Sequence, residues 1–175
     1  MDKIILHPQA QNLLFKYYRD LRLIFNDVLG HLEIDYISMA LLDDKNQLIL
    51  FSSMPSIEQN LLLKDFWQQD LCLQKEFFNQ DSMMIWNHAY DDVVLHHYKL
   101  AVPRLAFALS IPDRFQDFKV SYSFGVKSQD PFVHQNLLDN QSTLKAMAKY
   151  CLINILKVVH PDNISHLKLI VSNDL

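Results

Sequence analysis

The sequence has 175 residues, half of them hydrophobic, with 16 basic and 20 acidic side chains and a formal net charge of −4 at pH 7. A chain of this length can bury one well-packed core but is short for two domains. The basic residues are scattered singly and give no excess of positive charge. Nucleic-acid-binding domains usually have such an excess, so we expect no nucleic acid to bind through this chain.

The first half of the chain predicts a helix, a hairpin and two short helices. Apolar residues recur at helical spacing between Pro8 and Gly30, which are typical of a helix start and a helix stop. Two apolar runs flank an Asp-Asp-Lys-Asn segment that favours a hairpin turn. Ser56 with Gln59 forms a capping-box pattern, and Asp70 is placed to cap the next helix. In chain order, we predict a helix over 9–29, strands over 36–42 and 47–51, and helices over 56–64 and 71–79.

The second half predicts a short extended segment, a helix, a second hairpin and a long last helix. Pro112 lies where the turn of the second hairpin is expected. Asp130 followed by Pro131 suits a helix start, and the last helix begins there or nearer Ser142 and ends before Pro161. In chain order, we predict an extended segment over 83–86, a helix over 91–100, strands over 105–111 and 118–126 around a turn at 112–116, and the last helix up to 159.

This order of elements predicts a fold of the α/β (α+β) class, a PAS/GAF-like central antiparallel sheet flanked by helices on both faces. Each hairpin has an apolar side that must be buried against amphipathic helices. Since the sequence shows no repeat and no linker, we expect one domain over 1–160, followed by a tail or linker over 161–175. No segment approaches the roughly 20 apolar residues of a membrane span, and the N-terminal apolar run is too short for a signal peptide. We therefore expect a cytoplasmic protein that does not bind a membrane.

Few patterns in the chain are typical of a catalytic or metal site. Adjacent residues on a helix diverge by about 100°, so His96 and His97 do not suit one metal ion, and we predict no metal site. Two glycines are too few for a phosphate-binding loop, and we predict no cofactor. Cys72 and Cys151 lie in apolar surroundings and are predicted to be reduced, buried thiols. No nucleophile motif is present, and we expect no enzyme activity.

The segment over 65–86 combines aromatic residues with one acidic residue. Phe66 and Trp86 could form apolar walls of a small-molecule pocket, with Asp70 as the polar group that orients a ligand. The alternative is that the aromatic residues are ordinary core and that Asp70 only caps a helix.

The same segment, DLCLQKEFFNQDSMMIW over 70–86, resembles the ligand-domain signature of LuxR-type quorum-sensing regulators. In that family an Asp-Pro pair opens a short helix, a tryptophan follows, and an aromatic residue four positions before the aspartate corresponds to Phe66. A second segment, ALSIPDRFQDFKVSYSFGV, is similar to the family's strand-proline-turn-strand unit. The family binds an N-acyl homoserine lactone between the sheet and the short helices. The resemblance implies that Asp70 accepts a hydrogen bond from the ligand amide and that Trp86 packs on the lactone.

Several features depart from the family pattern. Asp70 is followed by Leu71 rather than proline, and the glycines that usually precede the second hairpin are missing. The family has hydrogen-bond donors to the ligand carbonyls thirteen and nine residues before the aspartate, and these places hold Ile57 and Leu61, whose side chains cannot donate. Unpaired ligand carbonyls would cost about 1–3 kcal/mol each, so we do not expect a standard acyl homoserine lactone. No helix-turn-helix domain fits in the residues after His160. We therefore expect either a sensor fragment of a longer regulator, cut just past Val159, or a stand-alone sensor that works by pairing with other proteins.

We interpret the chain as the sensor domain of a LuxR-type transcription regulator that binds a small apolar effector and forms a homodimer. Asp70 would anchor the ligand, Phe66 and Trp86 would be cavity walls, and Tyr36 and Met39 would face the cavity from the sheet. One alternative is a ligand-independent PAS/GAF-like interaction or dimerisation module whose pocket is filled by its own side chains. A second is an enzyme with a site assembled from scattered residues.

Overall fold

A computed structural model describes residues 3–159, which contain six strands. The strands are β1 (Ile5–Leu6), β2 (Tyr36–Leu42), β3 (Gln47–Ser52), β4 (Met84–Ile85), β5 (Phe107–Phe115) and β6 (Phe118–Val126). They form one sheet in the order β1-β3-β2-β6-β5-β4. β1 pairs with β3 in parallel, and every other neighbouring pair is antiparallel. The centre of the sheet therefore consists of the two predicted hairpins side by side.

The helices of the described residues are mostly short. The α-helices are α1 (Ala10–Lys16), α2 (Tyr18–Asn26), α3 (Pro55–Leu63), α4 (Lys75–Phe78), α5 (Trp86–Ala89), α6 (Val93–His96), α7 (Pro131–Asp139) and α8 (Gln141–Val158). Three 3₁₀ turns (His31–Glu33, Phe66–Gln68 and Leu71–Leu73) and one π-helical turn (His97–Ala101) complete the set. No helix within residues 3–159 combines the length and the apolar character needed to cross a membrane.

Helices cover both faces of the sheet because the central strands carry apolar side chains on both sides. All seven residues of β2 are buried, and alternate residues belong to different cores. Ile37 and Met39 join the core formed with α2, α7 and α8. Tyr36 and Ala40 join the core formed with α3 and the short helices. The predicted PAS/GAF-like arrangement, a central antiparallel sheet with helices on both faces, is confirmed.

The predicted helix over 9–29 is two helices. Tyr17 has φ −110° and ψ 22°, which ends α1 and starts α2 in a new direction. The break lets α1 pack against β3 while α2 packs against α8, so Leu14 and Phe25 enter different cores. Periodicity alone does not detect such a break when neither Gly nor Pro marks it.

Two local predictions were wrong. Ser56 does not cap α3, since the cap position is Met54 and Pro55 is the first helical residue, where a missing N–H costs nothing. Pro112 does not lie in a turn but inside β5, opposite Ser121 of β6. β4 pairs with β5 only at Ser110 and Leu109. Within residues 3–159, no strand lies beside Pro112 on the β4 side of β5, so the N–H group that proline lacks is not needed for a ladder hydrogen bond there.

The C-terminal part follows the prediction more closely. Asp130 caps α7 by accepting a hydrogen bond from the Phe132 N–H at 2.9 Å, and Pro131 is the first helical residue. The last predicted helix is divided at Asn140, and α8 buries Leu144 together with five further residues: Ala148, Cys151, Leu152, Ile155 and Leu156. α8 ends at Val158, one residue before the predicted end at 159. Pro161 and the predicted tail over 161–175 lie outside the described residues.

Candidate functional site

The core between the sheet and the short helices brings together several of the predicted site residues. Tyr36, Leu61, Asp70 and Trp86 line one small cavity there. Met39 does not face it and lies in the core on the opposite face of the sheet. The prediction that Met39 and Tyr36 share a cavity is therefore wrong, because residues an odd number apart on a strand point to opposite faces.

Two other predicted residues lie near this core without lining the cavity. Phe66 is partly buried and packs against Tyr98, with ring centroids 5.7 Å apart. Ile57 is buried in the same core and lines a surface groove of about 510 Å³ beside Val102. Among the two positions that replace the family's donors, only Leu61 contacts the cavity.

Asp70 performs the capping role that the sequence predicts and a second role that it does not. Its Oδ1 accepts a hydrogen bond from the Cys72 N–H at 3.0 Å, which caps the 3₁₀ turn over Leu71–Leu73. The same oxygen accepts from the Tyr90 hydroxyl at 2.5 Å. Oδ2 lies 2.5 Å from Nζ of Lys99, and the two side chains are 1% and 5% exposed. Asp70 is therefore a buried carboxylate with three donors, one of which is a cation.

Lys99 enters this core from the π-helical turn that follows α6. Its Nζ donates to Asp70 and to the Tyr90 hydroxyl at 2.7 Å. Nζ also lies 3.8 Å from the centroid of the Trp86 ring, which is cation–π geometry. An ammonium group has three N–H donors, and two oxygens and the rings of Trp86 and Tyr90 surround this one. π-helical turns are rare and occur often at functional sites.

Trp86 is held in position by polar and aromatic contacts. Its Nε1 donates to Ser110 Oγ at 2.8 Å, and Ser110 is hydrogen-bonded in turn to Ser123 at 2.7 Å. Tyr36 and Tyr90 meet the indole edge-on, with ring centroids 5.8 and 5.9 Å away. Ser110 of β5 and the two tyrosines thus fix the orientation of the indole. Lys99 covers the face on which the LuxR-type resemblance places a ligand.

A second buried carboxylate, Glu58 of α3, faces the same cavity. Its Oε1 accepts a hydrogen bond from the Tyr36 hydroxyl, which is also bonded to Ser38 at 2.7 Å. The other oxygen, Oε2, is buried and has no hydrogen-bond partner among residues 3–159. Burial raises the pKa of Glu58, and its contacts with the Ser52 and Tyr36 hydroxyls oppose this effect. Burial also raises the pKa of Tyr36 well above its usual value.

The cavity between these groups has a volume of only about 20 Å³, and every residue that lines it is buried. Pockets for drug-sized ligands measure roughly 300–1,000 Å³, whereas one water molecule needs roughly 10–15 Å³. The place that the LuxR-type resemblance assigns to a ligand is therefore filled by side chains of the chain itself.

Lys99, Tyr90 and Glu58 are the site residues that the sequence analysis missed. A signal existed for Lys99, which is the one charged residue in the apolar run over 98–102. A lone lysine in such a run must either snorkel to water or find an anionic partner. Its partner lies 29 residues earlier in the chain, and no local pattern points to it.

The remaining candidate groups do not assemble around a metal. Within residues 3–159, no group of three or more His, Cys, Asp or Glu side chains is arranged to hold a metal ion. His96 and His97 are exposed on the helical segment after Asp92, and Asp92 caps α6 through the Val94 N–H at 2.7 Å.

Glu58 makes the stability of the protein depend on pH. Because its folded pKa is raised, the folded state holds the proton more tightly than the unfolded state does. The contribution to the free energy of unfolding is then fully present below the unfolded pKa and is lost as pH rises through the folded pKa. We expect Glu58→Gln to flatten the decline in stability above pH 5, measured by urea unfolding between pH 4.5 and 8. The exposed Glu76→Gln variant is the matched control and should keep the wild-type slope.

The two cysteines should be unreactive in the folded protein. Burial raises the pKa of the Cys151 thiol to about 12 and also raises the pKa of the Cys72 thiol. Since the thiolate is the reactive form, a disulfide reagent at pH 8 should label neither thiol in buffer and both in denaturant. Rapid labelling of one thiol before unfolding would contradict the buried positions.

No family model matches the sequence, and no curated protein matches it either. Solved structures do match. SdiA of Escherichia coli has a TM-score of 0.54 and 12% identity, over 85% of this chain and 67% of that chain. CepR2 of Burkholderia cenocepacia, an N-acylhomoserine lactone dependent LuxR family transcription factor, has a TM-score of 0.58 and 14% identity, over 85% of this chain and 99% of that chain.

A third match is SdiA in complex with octanoyl-rac-glycerol, with a TM-score of 0.56 and 16% identity, over 87% of this chain and 61% of that chain. At such identities the likeness concerns the fold. The chain therefore has the fold of the LuxR-type regulators SdiA and CepR2, and the resemblance inferred from residues 70–86 is confirmed at that level.

Proposed function

We propose that this chain is the sensor domain of a LuxR-type transcription regulator that folds and dimerises without an acyl homoserine lactone. The ion pair between Lys99 and Asp70 is the observation that carries the proposal. In the LuxR family the ligand amide donates to this aspartate, and here Lys99 donates to it instead. The protein would act in the cytoplasm, by contact with other proteins rather than by catalysis.

The residues around the pair support a state that is complete without a ligand. Trp86 already has a cation over its ring, and Leu61 fills a place where the family has a hydrogen-bond donor. A lactone would have to expel Lys99 from Asp70 and open a cavity more than tenfold larger than the present 20 Å³. Leaving Asp70 or Lys99 buried without its partner would cost several kcal/mol.

Exposed apolar side chains on α2 and α8 support dimerisation. Leu23 of α2 is 67% exposed and Ile153 of α8 is 40% exposed, and these two helices pack against each other. We expect the purified chain to be a dimer by light scattering. The double variant Leu23→Lys with Ile153→Lys should be monomeric and should remain folded by circular dichroism, because both side chains are exposed in the single chain. A monomeric wild-type chain would contradict the proposal.

A reporter assay tests the regulatory role. The chain is fused to a DNA-binding domain that represses only as a dimer, in a host that makes no acyl homoserine lactone. We expect repression in the absence of lactone and no change on adding one, and we expect the monomeric double variant to be inactive. Repression that appears only with lactone would overturn the proposed ligand independence.

A small apolar effector is a second candidate, favoured by the groove of about 510 Å³ between α1 and α3. Its volume suits a small molecule, and Phe15 and Val102 expose apolar side chains there. The related SdiA structure contains octanoyl-rac-glycerol, so this compound is the probe. A rise in melting temperature that Val102→Asp abolishes would favour effector binding, and no rise would exclude this probe as a ligand.

A further inference from the structure

We propose that the place beside Asp70 is a binding site for a primary ammonium group and that Lys99 occupies it as a tethered ligand. This inference deepens the proposed function, on which it rests for the correspondence between this place and the family's ligand site. It names the chemical class that the site takes, an alkylammonium ion, in contrast to the neutral lactone that the resemblance implies.

The geometry around Nζ is that of a cation receptor. Asp70 Oδ2 lies 2.5 Å and the Tyr90 hydroxyl 2.7 Å from Nζ, and the Trp86 ring centroid lies 3.8 Å away. The Tyr90 ring adds a second aromatic contact, with its centroid 4.7 Å from Nζ. A carboxylate together with aromatic faces is the composition by which proteins recognise ammonium ions.

The receptor groups are positioned by contacts that do not involve Lys99. The Cys72 N–H and the Tyr90 hydroxyl hold Oδ1 of Asp70, and Ser110 holds the Trp86 indole. Glu58, which is 5% exposed, directs a second carboxyl group at the cavity, and its Oε2 has no hydrogen-bond partner among the described residues. We therefore expect the site to keep its shape and its preference for a cation when the lysine side chain is removed.

Removal of the lysine side chain tests the proposal by chemical rescue. Lys99→Ala retains Cβ and deletes three carbons and the nitrogen, the heavy atoms of n-propylamine. At pH 7 we expect n-propylammonium chloride to raise the melting temperature of this variant saturably, by about 3–6 °C at a tenfold excess over the dissociation constant. If the variant is unfolded in buffer, the same titration is followed as recovery of tryptophan fluorescence and far-ultraviolet circular dichroism.

Five controls, two added compounds and three proteins, define the ligand class. n-Propanol has the same chain without the charge, and tetramethylammonium has the charge without N–H donors, so neither should stabilise Lys99→Ala beyond the effect of sodium chloride. Wild-type protein and Lys99→Met should not respond, because their own side chains fill the place. Asp70→Asn combined with Lys99→Ala should lose the response.

The outcomes separate this inference from the proposed function. Equal stabilisation by propanol, equal stabilisation by tetramethylammonium, or no response to propylammonium would overturn the ammonium site. None of these outcomes alters the reporter assay, which uses wild-type protein. A failed reporter assay with a successful rescue would overturn the regulatory role and leave the ammonium site standing.

Discussion

Replacing Lys99 with methionine should lower the free energy of unfolding by about 3–5 kcal/mol, the range found when one partner of a buried ion pair is removed. Methionine fills nearly the same volume, so the loss comes from the charge and its hydrogen bonds. Asp70 is 1% exposed, so removing Lys99 would leave its carboxyl group buried without a cationic partner. The effect is measured by urea unfolding at pH 7, with Lys157→Met, an exposed lysine of α8, as the control that should cost little.

A double variant distinguishes the energetic contribution of the ion pair from that of ordinary packing. Asp70→Asn keeps an oxygen that accepts from the Cys72 N–H and removes the charge. Combined with Lys99→Met, it should be more stable than Lys99→Met alone, because buried ion pairs can be replaced by neutral groups at little cost while single removals are expensive. Strictly additive losses would show that Lys99 and Asp70 are not coupled.

Truncation of Trp86 should have an effect of similar size for a different reason. Trp86 is 1% exposed and lies between Tyr36 and Tyr90, so Trp86→Ala leaves a large cavity and should cost about 3–5 kcal/mol. Trp86→Phe keeps an aromatic face for Lys99 and loses the hydrogen bond to Ser110, and it should cost about 1–2 kcal/mol.

Thermal and urea unfolding of both Trp86 variants measures this order. Phe132 is 85% exposed, and Phe132→Ala is the control for removing an aromatic residue outside the core. If Trp86→Phe were as unstable as Trp86→Ala, the hydrogen bond to Ser110 would matter more than the volume of the ring.

Much of the sheet was predictable because its signals are local. The turn over residues 43–46 is flanked by runs of apolar residues, and Asp43 accepts from the Lys45 and Gln47 N–H groups as a turn aspartate does. The cap at Asp70 was predictable for the same reason, since its acceptor bond reaches only two residues along the chain. The strand β1 was not predicted, because two residues are too short to form a pattern.

The interior of the site was less predictable because its contacts are remote in sequence. Lys99 meets Asp70 across 29 residues, and Tyr36 meets Glu58 across 22. The resemblance to LuxR-type regulators implied an apolar cavity in which Asp70 binds a ligand, whereas the chain supplies both a cation and a second carboxyl group. Met39 shows a simpler failure, since the alternation of a strand would have assigned it to the opposite face from Tyr36.

Lys99 is covalently part of the domain whose cavity it fills, and this limits what such a domain can detect. A diffusible ligand occupies a receptor in proportion to its concentration, so occupancy reports how many cells release it. A ligand that belongs to the same polypeptide has a fixed local concentration, and its occupancy is the same in a dilute and in a dense population. A domain closed by Lys99 would therefore not respond to the concentration of a diffusible ligand.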